Sequence, residues 1–378
     1  MMKFSIEFKK LTEAVNTVSK AVAAKGPNPM LSNLLITVSD GQIRFVGTDQ
    51  EIMMMSTMDA NIEDGGNFTI PAKLIQEILS SLSANSEELV QFELINEESG
   101  EMELRCGRSK FTIQKQSTDG FPPVPVLNGE DTVLYEAQCE GLARALKEAS
   151  LAILKEDGNP AQKSICLDFS DGINPMMAST DNKRLCVTKV KDFQIPETMK
   201  QIFIVPARAI GELRSLLDNS GDTIKYGLYK GQLLFSNEKF QLITRLVEGR
   251  FPEYKRVLPK ESSRSLKVNK KALAQAIKAV LPIARINNIF LVHFDINQNE
   301  TKLWADAKEQ GRAESFVPCE LNGEPLSIAF NANFVMDFIN VIEDEEVVVE
   351  MTSANYPGLF KTGNLDSDFN YVVMPMMQ

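Results

Sequence analysis

The sequence is poor in the residues on which metal and redox sites depend. Its 378 residues include one histidine, His293, and one tryptophan, and its five cysteines stand apart without a CxxC pair. This excludes the usual histidine and cysteine sets for zinc, and we expect no metal or other cofactor. Scattered thiols in odd number are typical of a reducing compartment. His293 lies in the strand-like segment LVHFDI, where we expect a structural role.

Long hydrophobic runs are also absent. No stretch of about 18 apolar residues could span a membrane, and the opening MMKFSIEFKKL has no apolar signal-peptide core. Hydrophobic residues make up 43% and charged residues 24% of the chain, as in ordinary globular proteins. The length favours two or three domains. We therefore expect a cytoplasmic protein without membrane contact.

The usual catalytic motifs are missing too. The sequence contains no GxxxxGK[ST] phosphate loop and no GxSxG nucleophile turn. The acidic run at residues 343–346 (EDEE) is typical of a solvated surface. Since catalytic carboxylates can converge without a sequence signal, a repeat-built hydrolase stays an alternative, although we expect no enzyme.

Cations are outnumbered, with 40 lysines and arginines against 51 acids and a formal charge of −11. No third of the chain is net basic. Contact with a nucleic acid would therefore depend on where individual cations lie and could not come from the net charge.

An amphipathic helix pattern occurs three times. Each copy has apolar residues at i, i+3, i+4 and i+7, and consecutive copies are 131 residues apart (142 − 11 and 273 − 142). The three stripes are Leu11, Ala14, Val15, Val18; Leu142, Ala145, Leu146, Ala149; and Leu273, Ala276, Ile277, Val280. Such a period indicates an internal structural repeat.

A second helix and several hairpins accompany each copy. IPAKLIQEIL, VPARAIGELRSLL and FNANFVMDFINVI predict helices, the first two with proline at N1 and the third with Asn331 as its cap. Alternating apolar residues around Asp-Gly, Lys-Gly and Asn-Glu turns predict antiparallel strands. The fold class is therefore α+β, with three domains at 1–126, 127–255 and 256–378.

Helix cations lie opposite these apolar stripes. At about 100° per residue they occupy one narrow sector. They are Lys9, Lys20, Arg144, Lys147, Lys271 and Lys278. Lysines that merely solvate a helix would show the same pattern. Alternatively, repeated units place them on one basic wall suited to sequence-independent phosphate contact.

Motifs in all three thirds resemble one known family. NPMLSNLLITVSDG, GTDQEI and RCGRSKFTI come from the first third, and STDNKRLCV and EGRFPEYKRVLP from the second and its boundary. IAFNANFVMDFI, PGLFKT and the terminal YVVMPM come from the last. In these motifs the chain resembles the bacterial DNA polymerase III beta subunits, the β sliding clamps.

The resemblance implies three clamp-type domains, each with two helices packed on antiparallel sheets. A head-to-tail homodimer would close six such domains into a ring around duplex DNA, without base preference. It would act as a processivity factor for the replicative DNA polymerase. Other partners would be an ATP-dependent clamp loader and proteins with a clamp-binding linear motif. A protein-only scaffold is the remaining alternative.

The resemblance also assigns the surfaces for DNA and for ring closure. Loop residues for DNA are Lys25, Lys155, Gln162 and Lys163, the last three in an exposed loop. For the subunit contact they are Arg108, Lys110, Phe111 and Ile113 on one side and Leu281 and Ile283 on the other. The two basic residues would face Asp306, Glu309 and Glu314, although apolar packing should dominate.

A partner-peptide pocket is implied where the second and third domains meet. The matching positions are Thr180, Arg184, Leu185, Pro252, Arg256, Val257, Asn331, Phe334, Val372, Val373, Met374, Pro375 and Met376. An apolar C-terminal run with methionines suits an adaptable binding surface. A terminal strand that completes a sheet is the alternative, and the two are compatible.

Two departures from the family pattern bear on this pocket. Asn182 and Lys183 stand where the family usually has Gly and His, and asparagine tolerates the left-handed backbone that glycine adopts. Lys183 changes the charge near the partner site. The chain ends Met377-Gln378, without the basic residue common in the family.

Overall fold

The computed structural model describes residues 2–23, 28–82, 88–125, 132–218, 221–364 and 366–376. The chain divides into two compact units. Unit 1 comprises Met1–Cys139 and Gly211–Leu246, and unit 2 comprises Glu140–Ile210 and Val247–Gln378. The division into thirds at residues 126 and 255 stays a prediction.

The described residues of unit 1 form two antiparallel sheets. One is built from β1 (Lys3–Glu7), β5 (Asn61–Asp64), β7 (Leu89–Asn96), β8 (Glu101–Cys106) and β9 (Ser109–Gln114), in the order β5-β1-β7-β8-β9. The other contains β2 (Asn33–Ser39), β3 (Gln42–Thr48), β4 (Ile52–Asp59), β6 (Gly66–Pro71), β10 (Leu134–Gln138), β15 (Thr223–Tyr229), β16 (Gln232–Ser236) and β17 (Gln241–Thr244). Its order is β10-β15-β16-β17-β4-β3-β2-β6. Helices α1 (Phe8–Ser19) and α2 (Ala72–Ser81) belong to this unit, as does the end of α4 (Ala207–Leu217).

In unit 2, the strands that the structure describes form one twelve-stranded sheet. Its strands are β11 (Ser164–Asp168), β12 (Met176–Thr180), β13 (Arg184–Lys189), β14 (Ile202–Pro206), β18 (Arg264–Asn269), β19 (Leu291–Ile296), β20 (Glu300–Asp306), β21 (Arg312–Asn322), β22 (Leu326–Asn331), β23 (Glu346–Met351), β24 (Gly358–Thr362) and β25 (Asn370–Val373). They follow the order β14-β11-β12-β13-β25-β24-β23-β18-β21-β20-β19-β22. Its helices are α3 (Cys139–Ala149, from Glu140 onward), the start of α4, α5 (Lys270–Ala284) and α6 (Ala332–Val341).

The three apolar stripes are buried as the helical period predicts. All twelve side chains expose 3% of their surface or less. They lie on α1, α3 and α5, the helices that open the three repeats. Burial of these faces against the sheets supplies much of each core.

The second helices begin one residue later than predicted in two cases. Pro71 is the N-cap of α2 and not its N1 residue, and Pro206 ends β14 directly before α4. Both prolines close edge strands, where a missing amide hydrogen is tolerated. The cap prediction for α6 is confirmed, since the Asn331 side chain accepts the amide of Asn333 at 2.9 Å.

The predicted Asp-Gly and Lys-Gly hairpin turns are present, whereas Glu300 of the predicted Asn-Glu turn is already the first residue of β20. Asp40-Gly41 joins β2 to β3 with φ of 52° and 75°, and Lys230-Gly231 joins β15 to β16 with φ of 48° and 78°. Positive φ at both residues is the backbone that two-residue hairpins require.

The scarce residues are in structural positions. His293 stacks on Trp304 with ring centroids 3.8 Å apart. All five cysteines are free, four of them buried. In the described part of the chain, no helix is long and apolar enough to cross a membrane.

Candidate functional site

A tight turn between β12 and β13 forms one wall of the candidate site. The Thr180 hydroxyl donates to the Arg184 carbonyl at 2.8 Å. The Asp181 carboxylate accepts the amides of Lys183 and Arg184 at 3.0 and 2.9 Å. Asn182 has φ of 70°, so asparagine does keep the left-handed turn in the place where the family usually has glycine.

The C-terminal strand forms the neighbouring wall. β25 pairs antiparallel with β13 on one side and β24 on the other, with Leu185 opposite Val372. The chain then continues beside the turn, because the Met374 amide donates to the Lys183 carbonyl at 2.9 Å. The terminal strand therefore completes a sheet and also borders a cavity.

Between these walls lies a cavity of about 260 Å³, here named the tail pocket. Its lining includes seven predicted residues, Thr180, Arg184, Leu185, Pro252, Val257, Val372 and Met374. Val257 and Met374 remain 48% and 42% exposed. An open cleft with apolar walls and few polar groups is the usual form of a ligand site.

Arg184 is buried in the wall of the tail pocket. Its guanidinium donates to Asp181 at 3.0 Å, to Asp337 at 2.6 Å and to the Tyr371 hydroxyl at 3.2 Å. It also lies 4.2 Å from the centre of the Phe334 ring. Burial opposes its charge, but the contacts with Tyr371, Asp337 and Asp181 outweigh that effect and raise its pKa. Arg184 therefore joins the turn, β25 and α6 through charge-assisted bonds.

The linker that carries Pro252 and Val257 is anchored on a buried carboxylate. Asp168 in β11 accepts the Tyr254 hydroxyl at 2.8 Å and the Lys255 ammonium at 2.7 Å. Burial would raise the pKa of Asp168, but hydrogen bonds from Lys255, Ser170 and Tyr254 lower it below its usual value. Burial and the bond to Asp168 raise the pKa of Tyr254. The anchor thus fixes one side of the tail pocket.

Six predicted pocket residues do not line this cavity. Val373 is a correction: it is fully buried in the opposite face of the sheet, because successive strand residues alternate sides. Phe334 packs under Arg184, and Asn331 caps α6. Arg256 is exposed and paired with Glu253. Pro375 and Met376 are half-buried beyond the cavity, where the Met376 amide donates to Ala329.

Two lining residues, Asn182 and Tyr254, were not predicted for the pocket. The sequence carried a signal for both. Asn182 belongs to the STDNKRL turn, and Tyr254 is the aromatic residue of the linker motif FPEYKRV. A buried aromatic in an otherwise polar linker, 5% exposed here, indicates a packed segment.

Gln162 is a correction among the DNA-contact residues. The prediction placed it in an exposed loop, but only 8% of its surface is exposed. Its amide donates to the Asn182 side chain at 2.6 Å, so it is held against the turn of the tail pocket. In the same loop Lys155 is exposed, and the Lys163 ammonium lies 3.2 Å from Asp157.

The predicted helix cations differ in solvent exposure and in ion pairing. Lys271 and Lys278 are exposed on α5 without an ion pair among the described residues. Lys9 lies 4.0 Å from Glu13, and Lys20 lies 3.7 Å from Glu212.

On α3, Lys147 and Arg144 are both half-buried, and Arg144 forms hydrogen bonds with other residues of the chain. The Arg144 guanidinium donates to Glu148 at 3.1 Å and to the Lys189 carbonyl. Burial raises the pKa of Glu148, although bonds from Thr188 and Arg144 oppose this. Lys25 lies outside the described residues.

The predicted subunit contacts lie beside two open strand edges. β9 is an edge strand in unit 1, and it carries half-buried Phe111 and buried Ile113. In unit 2, residues 312–318 of β21 pair with β20, whereas β18 pairs only with residues 319–322 of β21. Among the strands that the structure describes, residues 312–318 therefore have a partner on one side only. Leu281 and Ile283, both half-buried, lie at the end of α5, with Ile283 beside Gly311.

The charged residues at these edges have partners within the chain. Lys110 pairs with the buried Glu103, and Glu314 pairs with Lys302 and Arg312 at 2.9 and 2.8 Å. Arg108, Asp306 and Glu309 are exposed. Any contact of Lys110 or Glu314 across subunits would have to compete with these pairs.

Three family models match the chain in succession. They describe the N-terminal, central and C-terminal domains of the DNA polymerase III beta subunit, and they match residues 2–125, 137–253 and 255–377. The chain belongs to this family. The resemblance seen in the motifs is confirmed, and so is the α+β fold of three clamp domains.

Full-length relatives agree. The beta sliding clamp of Vibrio cholerae is 29% identical over 99% of this chain and 100% of its own length. The crystal structure of the beta subunit from Pseudomonas aeruginosa is 27% identical, with a TM-score of 0.89 over 100% of both chains. A clamp from the same organism, equally similar, was crystallised bound to griselimycin.

Membership in the family also bears on catalysis. Sliding clamps are processivity factors and not catalytic enzymes, so the expectation that this chain is not an enzyme is confirmed. The hydrolase alternative has no support.

Proposed function

We propose that the chain is a DNA sliding clamp that tethers the replicative polymerase and other DNA-processing proteins to duplex DNA. The observation that carries this proposal is the match of three successive beta-subunit domains over nearly the whole chain. The domain boundaries fall at 126 and 255, and the protein works in the cytoplasm.

Two chains form a closed ring by head-to-tail contact. The open edge of β9 meets the open edge of β21 from a second copy, since an unpaired strand edge is a template for another strand. Phe111 and Ile113 lie against Leu281 and Ile283. Two chains of three domains give the six domains of the ring.

The ring holds DNA by topology, with weak contacts to phosphate. Lys9, Lys20, Lys25, Lys147, Lys155, Lys163, Lys271 and Lys278 are the cations proposed for this contact. Arg144 contributes less, because Glu148 already neutralises it. A ring needs no strong field, which reconciles a charge of −11 with a polyanionic partner.

The tail pocket receives linear motifs of the partners. Its apolar walls suit leucine and phenylalanine side chains, and the exposed Met374 and Val257 adapt to different sequences. A pocket fixed by Arg184 and by the Asp168 anchor is preorganised, which lowers the entropic cost of binding. An ATP-dependent loader opens the ring.

Retention on circular DNA tests this function. The full chain is loaded on nicked circular plasmid by an ATP-dependent clamp loader, and the DNA is separated by gel filtration. We expect the protein to stay with the circle and to dissociate after a restriction cut that creates ends. A protein-only scaffold, or an ordinary DNA-binding protein, would show the same retention on both forms and would contradict the proposal.

A further inference from the structure

A second groove in unit 1 repeats the construction of the tail pocket. Its first wall is the turn between β3 and β4. The Thr48 hydroxyl donates to the Ile52 carbonyl at 2.7 Å, as Thr180 donates to Arg184 at 2.8 Å. The two turns therefore close in the same way, 132 residues apart (180 − 48).

The middle of the turn matches as well. The Asp49 carboxylate accepts the backbone amides of Glu51 and Ile52 at 2.9 Å each. In the same way, the Asp181 carboxylate accepts the amides two and three residues after it, at 3.0 and 2.9 Å. Gln50 has φ of 76°, close to the 70° of Asn182. Glutamine rarely adopts this backbone, so the similarity is imposed by the turn and not by residue preference.

The floor of the groove has the same strand register. Met53 in β4 lies opposite Ile243 in β17, as Leu185 in β13 lies opposite Val372 in β25. Beyond the strand, the Arg245 amide donates to the Glu51 carbonyl at 2.9 Å. This repeats the bond of Met374 to Lys183, also 2.9 Å.

A proline-rich linker forms the last wall in both places. Phe121 and Val124 pack on the cluster around Met55 and Ile243. Phe251 and Tyr254 pack on the corresponding cluster in unit 2. Each cavity is therefore enclosed by a turn, a strand pair and a linker.

Size and charge distinguish the two sites. The groove, here named the unit 1 groove, encloses about 720 Å³ against about 260 Å³ in the tail pocket. Arg245 stands in the place of Met374, and Lys230 also lines the groove. Among the lining residues that the structure describes, Glu51 is the single carboxylate. Among the described residues, neither cation has an ion pair. The groove thus offers apolar walls with an unneutralised positive end.

We propose that the unit 1 groove binds an extended peptide segment of a partner protein that carries apolar side chains together with carboxylates. Apolar side chains fit between Met53, Ile243 and the linker, and a carboxylate pairs with Arg245 or Lys230. The mode of binding is that of the tail pocket, so the inference rests on this part of the proposed function.

Two labelled pentapeptide amides probe the groove in the full chain. The sequences are DLDLF, with two carboxylates, and NLNLF, its neutral match. Val257→Glu closes the tail pocket, and Arg245→Glu reverses the charge of the unit 1 groove. Arg250→Glu is the matched control, since Arg250 is also exposed and lines neither cavity.

Calorimetric titration should give two DLDLF sites per wild-type chain and one in the Val257→Glu chain. In that background, Arg245→Glu should weaken binding at least tenfold and Arg250→Glu less than twofold. NLNLF should bind the remaining site at least fivefold more weakly than DLDLF. Exchange of the amide hydrogens of residues 119–121 and 124 should slow when DLDLF is added, since the other residues up to 125 are prolines without an amide hydrogen.

Each contrary outcome identifies what fails. If Val257→Glu removes all binding and residues 119–121 and 124 show no protection, the groove proposal is wrong while the tail pocket stands. If only Arg245→Glu removes binding, the groove stands and the tail pocket fails. Equal losses from Arg245→Glu and Arg250→Glu would mean a general charge effect and would overturn the groove. Thermal melts check that every variant is folded.

Discussion

At the scale of single residues, two buried charges shape the tail pocket. Arg184, with its side chain 5% exposed, is held by Asp181 and Asp337. Removing one partner of such a group leaves a buried charge unpaired, which costs more than the pair itself contributes. Arg184 therefore shapes the wall of the tail pocket, and little of its charge reaches solvent.

The second buried charge, Asp168, gives a pH-dependent prediction. Its folded pKa is below the ordinary value of about 3.8, so its stabilising effect is complete above that value and disappears as pH falls through the folded pKa. Asp168→Asn should make local opening of residues 251–258 easier by about 1–3 kcal/mol at pH 7. The difference from wild type should shrink as the pH falls below about 3.8, because the carboxylate is then progressively protonated.

Hydrogen exchange of the 251–258 segment measures this opening between pH 2.5 and 8. Asp157→Asn is the control, because that carboxylate is fully exposed and should leave the segment unchanged. If the difference in opening between Asp168→Asn and wild type were the same at pH 2.5 as at pH 7, the carboxylate would not be the anchor.

Sequence reasoning reached some of these residues and not others, for a physical reason. Thr180, Leu185 and Val257 lie in short sequence motifs, so they could be predicted as pocket residues from the sequence. Asp168 and Tyr254 are 86 residues apart, and no local pattern reports that they meet. Gln162 was placed in solvent because a polar loop is usually exposed, whereas its partner Asn182 lies in another loop.

At the scale of elements, periodicity made the helices predictable. An i, i+3, i+4, i+7 stripe states which face is buried, and the three stripes are buried as expected. Strand faces were harder. Val372 and Val373 are adjacent in an apolar tail, and only the register of β25 decides that Val372 lines the pocket while Val373 enters the core.

The end of α5 carries a prediction about ring closure. Ile283 is half-buried beside Gly311 at the open edge of β21, where the contact with β9 of a second copy is proposed. Ile283→Glu should give a folded monomer, because a carboxylate would be desolvated in an apolar contact. Sedimentation equilibrium measures the mass.

Ile289→Glu is the control for this prediction. Ile289 lies five residues after the end of α5 and is 49% exposed, but it is not assigned to the contact. It should leave the mass of the dimer unchanged. A dimeric Ile283→Glu chain, or a wild-type chain that is monomeric at every concentration, would contradict the proposed interface.

At the scale of the whole molecule, the net charge and the proposed ring topology have opposite effects on the retention of DNA. A chain with a charge of −11 repels DNA on average. In the proposed ring, enclosure therefore supplies retention, and the lysines proposed for phosphate contact permit close approach. Contacts made only to phosphate carry no base preference. Weak contacts of this kind also allow the ring to slide.

The exposed α5 cations provide the test at this scale. Replacing Lys271 and Lys278 with glutamine should weaken binding to short linear duplexes, which thread through the ring, by the same factor for every sequence. The slope of log affinity against log salt should flatten by about 0.9 for each phosphate that is no longer neutralised. Lys239→Gln and Lys260→Gln, two exposed lysines outside the predicted set, should change neither quantity. If the α5 double variant kept the wild-type salt slope, or bound only some sequences more weakly, these lysines would not touch phosphate, and the positive lining would have to come from other residues.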